Sequence, residues 1–174
     1  MRNYLWILLV ALLIAAALLC ASCGKKPEKT EEKPSETPTD KTAGIANPMQ
    51  ESGVAALRKH FGCPLSLPEN AGEQKSFMIG GKLGELRFTL DGVRYTARMQ
   101  KTAAVEDITG LYYQWTDVRD LTVCGAPAVC YTHDGNEKVT ALLWYEDGLT
   151  RSLSCEGLAS PEALGAIAES VFGE

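Results

Sequence analysis

The spacing of apolar and polar positions divides the chain into three stretches. Tyr4 to Leu19 is an unbroken apolar run with no charge and no proline. Gly24 to Pro48 is polar almost throughout, with Ile45 and a few alanines as its apolar content. From Met49 onward the pattern becomes one of short periodic segments separated by glycine-containing turns. Only this last stretch carries enough apolar sequence to make a core.

Within it, Glu51 to Phe61 holds Val54, Leu57 and Phe61 at helical spacing and stops at Gly62 and Pro64, which predicts an amphipathic helix. Gln74 to Gly80 reads as a strand. A hairpin follows: Leu86, Phe88 and Leu90 alternate with Arg87 and Thr89, Asp91-Gly92 turns the chain, and Val93, Tyr95, Ala97 and Met99 alternate with Arg94, Thr96 and Arg98. Such strict alternation predicts a sheet with one buried and one solvated face. Leu111 to Trp115 reads as a further strand, aromatic on both faces. Leu121 to Cys124 and Ala128 to Thr132 read as a short hairpin around Gly125-Ala126-Pro127, and Asp134-Gly135 turns the chain again. Val139 to Tyr145 and Leu149 to Cys155 pair across Glu146-Asp147-Gly148. Ser160 to Phe172 closes the chain as a helix, with Ser160 as N-cap, Pro161 in the first turn and Leu164, Ile167, Ala168 and Val171 as its apolar stripe.

The predicted fold is α+β: one antiparallel meander sheet with an N-terminal and a C-terminal helix packed on one face, preceded by a signal peptide and a disordered linker. The expected organisation is a signal peptide over residues 1–22, a lipidated cysteine and linker over 23–48, and a globular domain over 49–174. Its length is that of an ordinary single domain.

Composition sharpens the first two stretches. Arg2 precedes the apolar run, and the small residues Ala21 and Ser22 lead directly into Cys23. This segment resembles a bacterial lipoprotein signal, with Cys20 standing where that family usually has leucine. The resemblance implies cleavage before Cys23 and a diacylglyceryl group on its thiol, which anchors the chain at the extracytoplasmic face of the cell membrane. Two acyl chains suffice for stable attachment, where one gives only marginal binding. An uncleaved N-terminal helix is the alternative and leaves the same topology. The balanced lysines and glutamates of Gly24 to Pro48, with its prolines and threonines, predict a disordered spacer. Its ends would lie about 25–30 Å apart. The linker is neutral, so the net charge of -5 comes mostly from the domain. An acidic domain is a poor partner for nucleic acid, which needs a basic face.

A second resemblance rests on the Gly125-x-Pro127-Ala128 corner, Leu143-Trp144-Tyr145, the Gly148 turn, Leu153 and the closing Ser160-Pro161-Glu162 helix, together with Leu86 to Met99 and Gly110-Leu111-Tyr112-Tyr113. These look like an uncharacterised domain family, a domain of unknown function, of membrane-anchored proteins and lipoproteins in Gram-positive bacteria. That resemblance implies a fold and assigns no catalytic or binding residue.

Candidate chemistry is sparse. His60 and His133 sit in no recognisable nucleophile context. His60-x-x-Cys63 and Cys130-x-x-His133 together form a zinc-like ligand set, set against a reading of both histidines as ordinary surface or capping residues. Cys124 and Cys130 flank a short turn and form a possible disulfide, with four buried free thiols, Cys63 and Cys155 included, as the alternative. Arg87, Arg94 and Arg98 share one face of the hairpin. With Tyr112 beside them they form a possible face for an anionic or sugar ligand, and otherwise the solvated face of a half-exposed sheet. No cofactor is expected. The function these readings favour is a non-catalytic binding or sensing domain on a membrane anchor. An accessory subunit docking on an envelope complex is the alternative, and a hydrolase of wall material has no residue signature behind it.

Overall fold

Three two-residue turns dictate much of the topology. Asp91-Gly92, Cys124-Gly125 and Asp147-Gly148 place both of their residues at positive φ, at 51° and 77°, 52° and 83°, and 50° and 77° respectively. This is the type I′ geometry, whose twist matches that of the strands it joins. The structure, a computed structural model, describes residues 48–173. The expected leader, Cys23 and linker lie outside the described residues, as does Glu174.

Eight strands follow in chain order: β1 (Met49–Glu51), β2 (Gly72–Ile79), β3 (Leu83–Leu90), β4 (Val93–Lys101), β5 (Asp117–Val123), β6 (Ala126–Asp134), β7 (Lys138–Glu146) and β8 (Leu149–Glu156). Helix α1 (Val54–Phe61) follows β1, and helix α2 (Pro161–Phe172) follows β8. All neighbouring strands are antiparallel, in the order β1-β2-β3-β4-β8-β7-β6-β5. The class is mostly β, which corrects the expected α+β. Nor is the sheet one meander. It is two four-stranded meanders fused where β4 pairs with β8, with Ala97 opposite Leu153. The chain leaves β4 in the middle of the sheet and re-enters at β5, on the far edge.

Two expected elements differ locally. Glu51 belongs to a strand, because the Ser52 amide bonds to the Ser76 carbonyl at 2.8 Å and Gly53, with ψ 152°, is still extended. Leu111 to Trp115 forms no strand. Residues 102–116 have no regular structure, and the alternation there records which side chains press on the sheet. Tyr113 and Trp115 are half-buried while Tyr112 and Gln114 are exposed.

Alternation places Leu86, Phe88, Ala97, Leu142, Trp144 and Leu153 on one face of the sheet. Both helices cover that face in a single core: Leu57 and Phe61 come from α1, and Leu164, Ala168, Val171 and Phe172 from α2. Gly84 lets α1 approach, since a Cβ there would run into the Phe61 ring. Ser160 caps α2 by accepting from the Ala163 amide at 3.1 Å, and Trp144 packs edge-on against Phe172 at 5.2 Å.

A strapped polar face as the candidate functional site

The other face of the sheet is polar because β3, β4 and β8 carry charges and hydroxyls at alternate positions. Register sets Glu85 opposite Arg98, Arg87 opposite Thr96 and Thr89 opposite Arg94. On the next strand Thr96 faces Ser154 and Arg98 faces Ser152. Residues 102–116 must carry the chain from the middle of the sheet to its edge, and they cross this face as a strap. Thr150 holds its start: its hydroxyl meets that of Thr102 at 2.7 Å and donates to the Ala104 carbonyl at 3.3 Å. Arg98 holds its middle, with Nη1 donating to the carbonyls of Ile108 at 3.2 Å and Thr109 at 2.6 Å. The Thr116 amide ties its end to the Thr132 carbonyl at 2.8 Å. Gly110 is demanded by this arrangement. It has φ 65°, and a Cβ there would collide with the Arg98 guanidinium.

Glu85 is the hub of this face. It is 0% exposed, takes Arg98 Nε on one carboxylate oxygen at 2.7 Å, and takes Arg87 on the other at 2.5 and 2.6 Å. Burying a carboxylate this deeply is costly unless it is paired and hydrogen-bonded, and Glu85 is both. Arg94, farther toward the Asp91-Gly92 turn, pairs with Glu156 at 2.5 Å. So Arg87, Arg94 and Arg98 do share one face, and each is already opposed by a carboxylate. Tyr112 is 96% exposed. Its neighbour Tyr113 is the residue that turns toward the sheet.

The strap separates two kinds of hollow. On the side of the Asp91-Gly92 turn, a cavity of about 530 Å³ is walled by Tyr113 and Leu111 of the strap, Glu137 and Lys138, and Arg94, Thr96, Ser154 and Glu156 of the sheet. A second cavity of about 570 Å³ shares Arg94, Thr96 and Glu156 with it and extends to Lys75, Arg87 and Glu73. Together they form one trough across the strands. On the other side of the strap, Ala104, Val105, Val129, Leu143 and Tyr145 line an apolar hollow of about 450 Å³.

Tyr113 is held rigidly at the end of the trough. Its hydroxyl donates to Glu137 at 2.7 Å, and its ring stacks on His133 at 4.8 Å between centroids. The bond to Glu137 lifts the phenol above its ordinary pKa. His133 Nδ1 in turn lies 2.7 Å from the Gln114 carbonyl, and Trp115 packs on Tyr131 at 5.3 Å.

The remaining sequence candidates do not converge. His133 lies on the strapped face, whereas Cys130, three positions earlier, faces the core. An odd spacing along a strand always splits a pair this way. His60 is exposed on α1, and among the described residues no group of three or more potential metal ligands comes together. Cys124 and Cys130 do not face each other, so the alternative of free thiols stands in place of the possible disulfide. Cys124 is itself a turn residue at φ 52°, and Cys130 sits opposite Arg119 and Leu142. Cys63, Cys124, Cys130 and Cys155 are free thiols.

Burial raises the pKa of all four, and for Cys130, with Cys155 as a second cause, from 9.0 to about 11. Between these values the unfolded chain has released the proton that the native chain still holds, so stability falls as pH rises through this window. We expect the unfolding free energy, measured by urea titration, to decline from pH 9 to 11. The decline should be shallower in Cys130→Ala.

Glu85, Glu137 and Glu156 are not singled out as site residues by the sequence. Tyr113 stands there, with Tyr112, Trp115 and Trp144, as an aromatic for which core packing is the more natural reading than a ligand platform. Glu85 had a readable signal, since it stands two positions before Arg87 and so shares its strand face. Glu137 and Glu156 become neighbours of Tyr113 and Arg94 only through pairings of distant segments. The chain matches no family model, no curated protein and no solved structure.

Proposed function

We propose that the chain is a membrane-anchored extracytoplasmic lipoprotein whose folded domain binds or senses a ligand and carries out no catalysis. The observation that carries the anchor is the apolar run Tyr4 to Leu19 followed by Ala21-Ser22-Cys23. The polar spacer to Pro48 supports it, because such a segment would hold a domain clear of the surface. The binding role draws support from the trough beside the strap, whose wall Tyr113 is fixed in orientation by Glu137 and His133. The domain is then the described sheet with its two helices, following a removed leader and a linker.

The test is metabolic labelling with a palmitate analogue in a bacterium that processes lipoproteins. The native chain should take up label and fractionate with membranes, and Cys23→Ala should lose the label and the attachment. A Cys23→Ala chain attached as before would refute the anchor. The accessory-subunit reading is favoured by one feature, the half-exposed Val105 beside the apolar hollow. It predicts that a cross-linker placed at residue 105 captures one defined envelope protein.

A further inference from the structure

We infer that the trough binds a neutral polyhydroxylated chain, an oligosaccharide, with Tyr113 as the wall against which a sugar ring stacks. This deepens the binding role proposed above and rests on it. Three properties of the trough lead to this ligand class.

The first is charge balance. In the half beside Tyr113, Arg94 and Lys138 are matched by Glu137 and Glu156. In the other half Lys75, Arg87 and Arg98 are set against Glu73 and the buried Glu85. Arg87 and Arg98 are already paired with Glu85 and Arg94 with Glu156, so a polyanion would have to displace those carboxylates. A polycation would meet the five basic groups of the lining. A neutral ligand rich in hydroxyls meets alternating donors and acceptors instead, to which Thr96 and Ser154 add two hydroxyl groups.

The second is the aromatic wall. A pyranose ring has an apolar face of C–H groups and a rim of hydroxyls, so it pairs best with an aromatic face edged by polar side chains. Tyr113 offers that arrangement, and its ring is already positioned by Glu137 and His133. Ordering on binding therefore costs little at this position. Leu111 and Val139 extend the apolar part of the lining.

The third is shape. The trough crosses β2, β3, β4, β8 and β7, four strand spacings, or about 19 Å. Its two cavities, about 530 and 570 Å³, lie side by side with Arg94, Thr96 and Glu156 common to both linings. That is room for several linked rings and far more than a single small ion requires. A lipid chain fits it poorly, since charged groups line both halves.

The experiment is calorimetric titration of the full chain in detergent micelles with cellotetraose, a β-1,4-linked N-acetylglucosamine tetramer, tetragalacturonate, inorganic phosphate and spermidine. At least one neutral tetramer should bind at least tenfold more tightly than tetragalacturonate, with little change between 50 mM and 500 mM salt. Tyr113→Ala should weaken that binding tenfold or more. Glu137→Ala, a change in an exposed turn, should weaken it several-fold by freeing the Tyr113 ring, so the result does not depend on one variant folding. Binding of a neutral tetramer that both variants leave unchanged would overturn the inference. Binding of only tetragalacturonate, phosphate or spermidine would overturn it and leave the wider binding role standing. Failure of all five probes would count against both. The labelling result at Cys23 is independent of every one of these outcomes.

Discussion

Glu85→Ala is expected to destabilise the domain by about 3–5 kcal/mol, the usual effect of removing one partner from a buried ion pair. The substitution deletes little apolar contact. Its effect arises because Arg98, one-fifth exposed and enclosed between sheet and strap, loses the carboxylate that balances it. Arg87 matters less, being about half exposed and free to turn to water. The measurement is equilibrium unfolding in urea. A companion variant separates charge from packing: Glu85→Met combined with Arg98→Met should recover part of the loss, because the enclosed pair goes together and only the half-exposed Arg87 is left without its carboxylate. A Glu85→Ala protein within 1 kcal/mol of the native chain would show that the hub contributes little.

Gly110→Ala is expected to cost about 2–5 kcal/mol and to free the middle of the strap. Two effects add. A residue with a Cβ pays about 1–2 kcal/mol for left-handed backbone, and here the Cβ also occupies the position of the Arg98 guanidinium. Arg98 must then release the carbonyls of Ile108 and Thr109, at about 0.5–1.5 kcal/mol per hydrogen bond. Gly125→Ala is the matched control, since Gly125 has φ 83° and nothing within 4 Å of a Cβ. It should show the backbone cost alone. Hydrogen exchange of the amides of Thr109 and Leu111, which bond to Asp107 and Thr109 side-chain oxygens, should accelerate in Gly110→Ala and remain slow in Gly125→Ala.

What the sequence makes legible is whatever depends on neighbours along the chain. The β3–β4 hairpin follows from strict alternation about Asp91-Gly92, and α2 follows from Ser160, Pro161 and a helical stripe. The union of β4 with β8 has no such local sign. Nothing in Val93 to Lys101 distinguishes β8 from β5 as its neighbour, so a plain meander was the natural expectation. Alternation also misled at Leu111 to Trp115, where a strap lying on a sheet acquires the same inward-outward rhythm as a strand within one. Gly125-Ala126-Pro127 carries the turn signals there, which makes Cys124 a strand end in the sequence, whereas at φ 52° it is the first turn residue and Ala126 and Pro127 belong to β6. The candidate site divides the same way. The shared face of Arg87, Arg94 and Arg98 is visible from period two, and Glu85 falls on the same period, while Glu156 and the role of Tyr113 depend on long-range pairing.

The fusion of the two meanders also bears on how the molecule is made. Synthesis delivers β1 to β4 first, and β4 then presents an open row of amides and carbonyls until β8, among the last segments to emerge, arrives to pair with it. For that interval the nascent half-sheet is a template for any other extended chain, and late closure of this kind is slow and prone to aggregation. That seam, open until the last strand closes it, is where an incompletely folded chain is most exposed to mispairing.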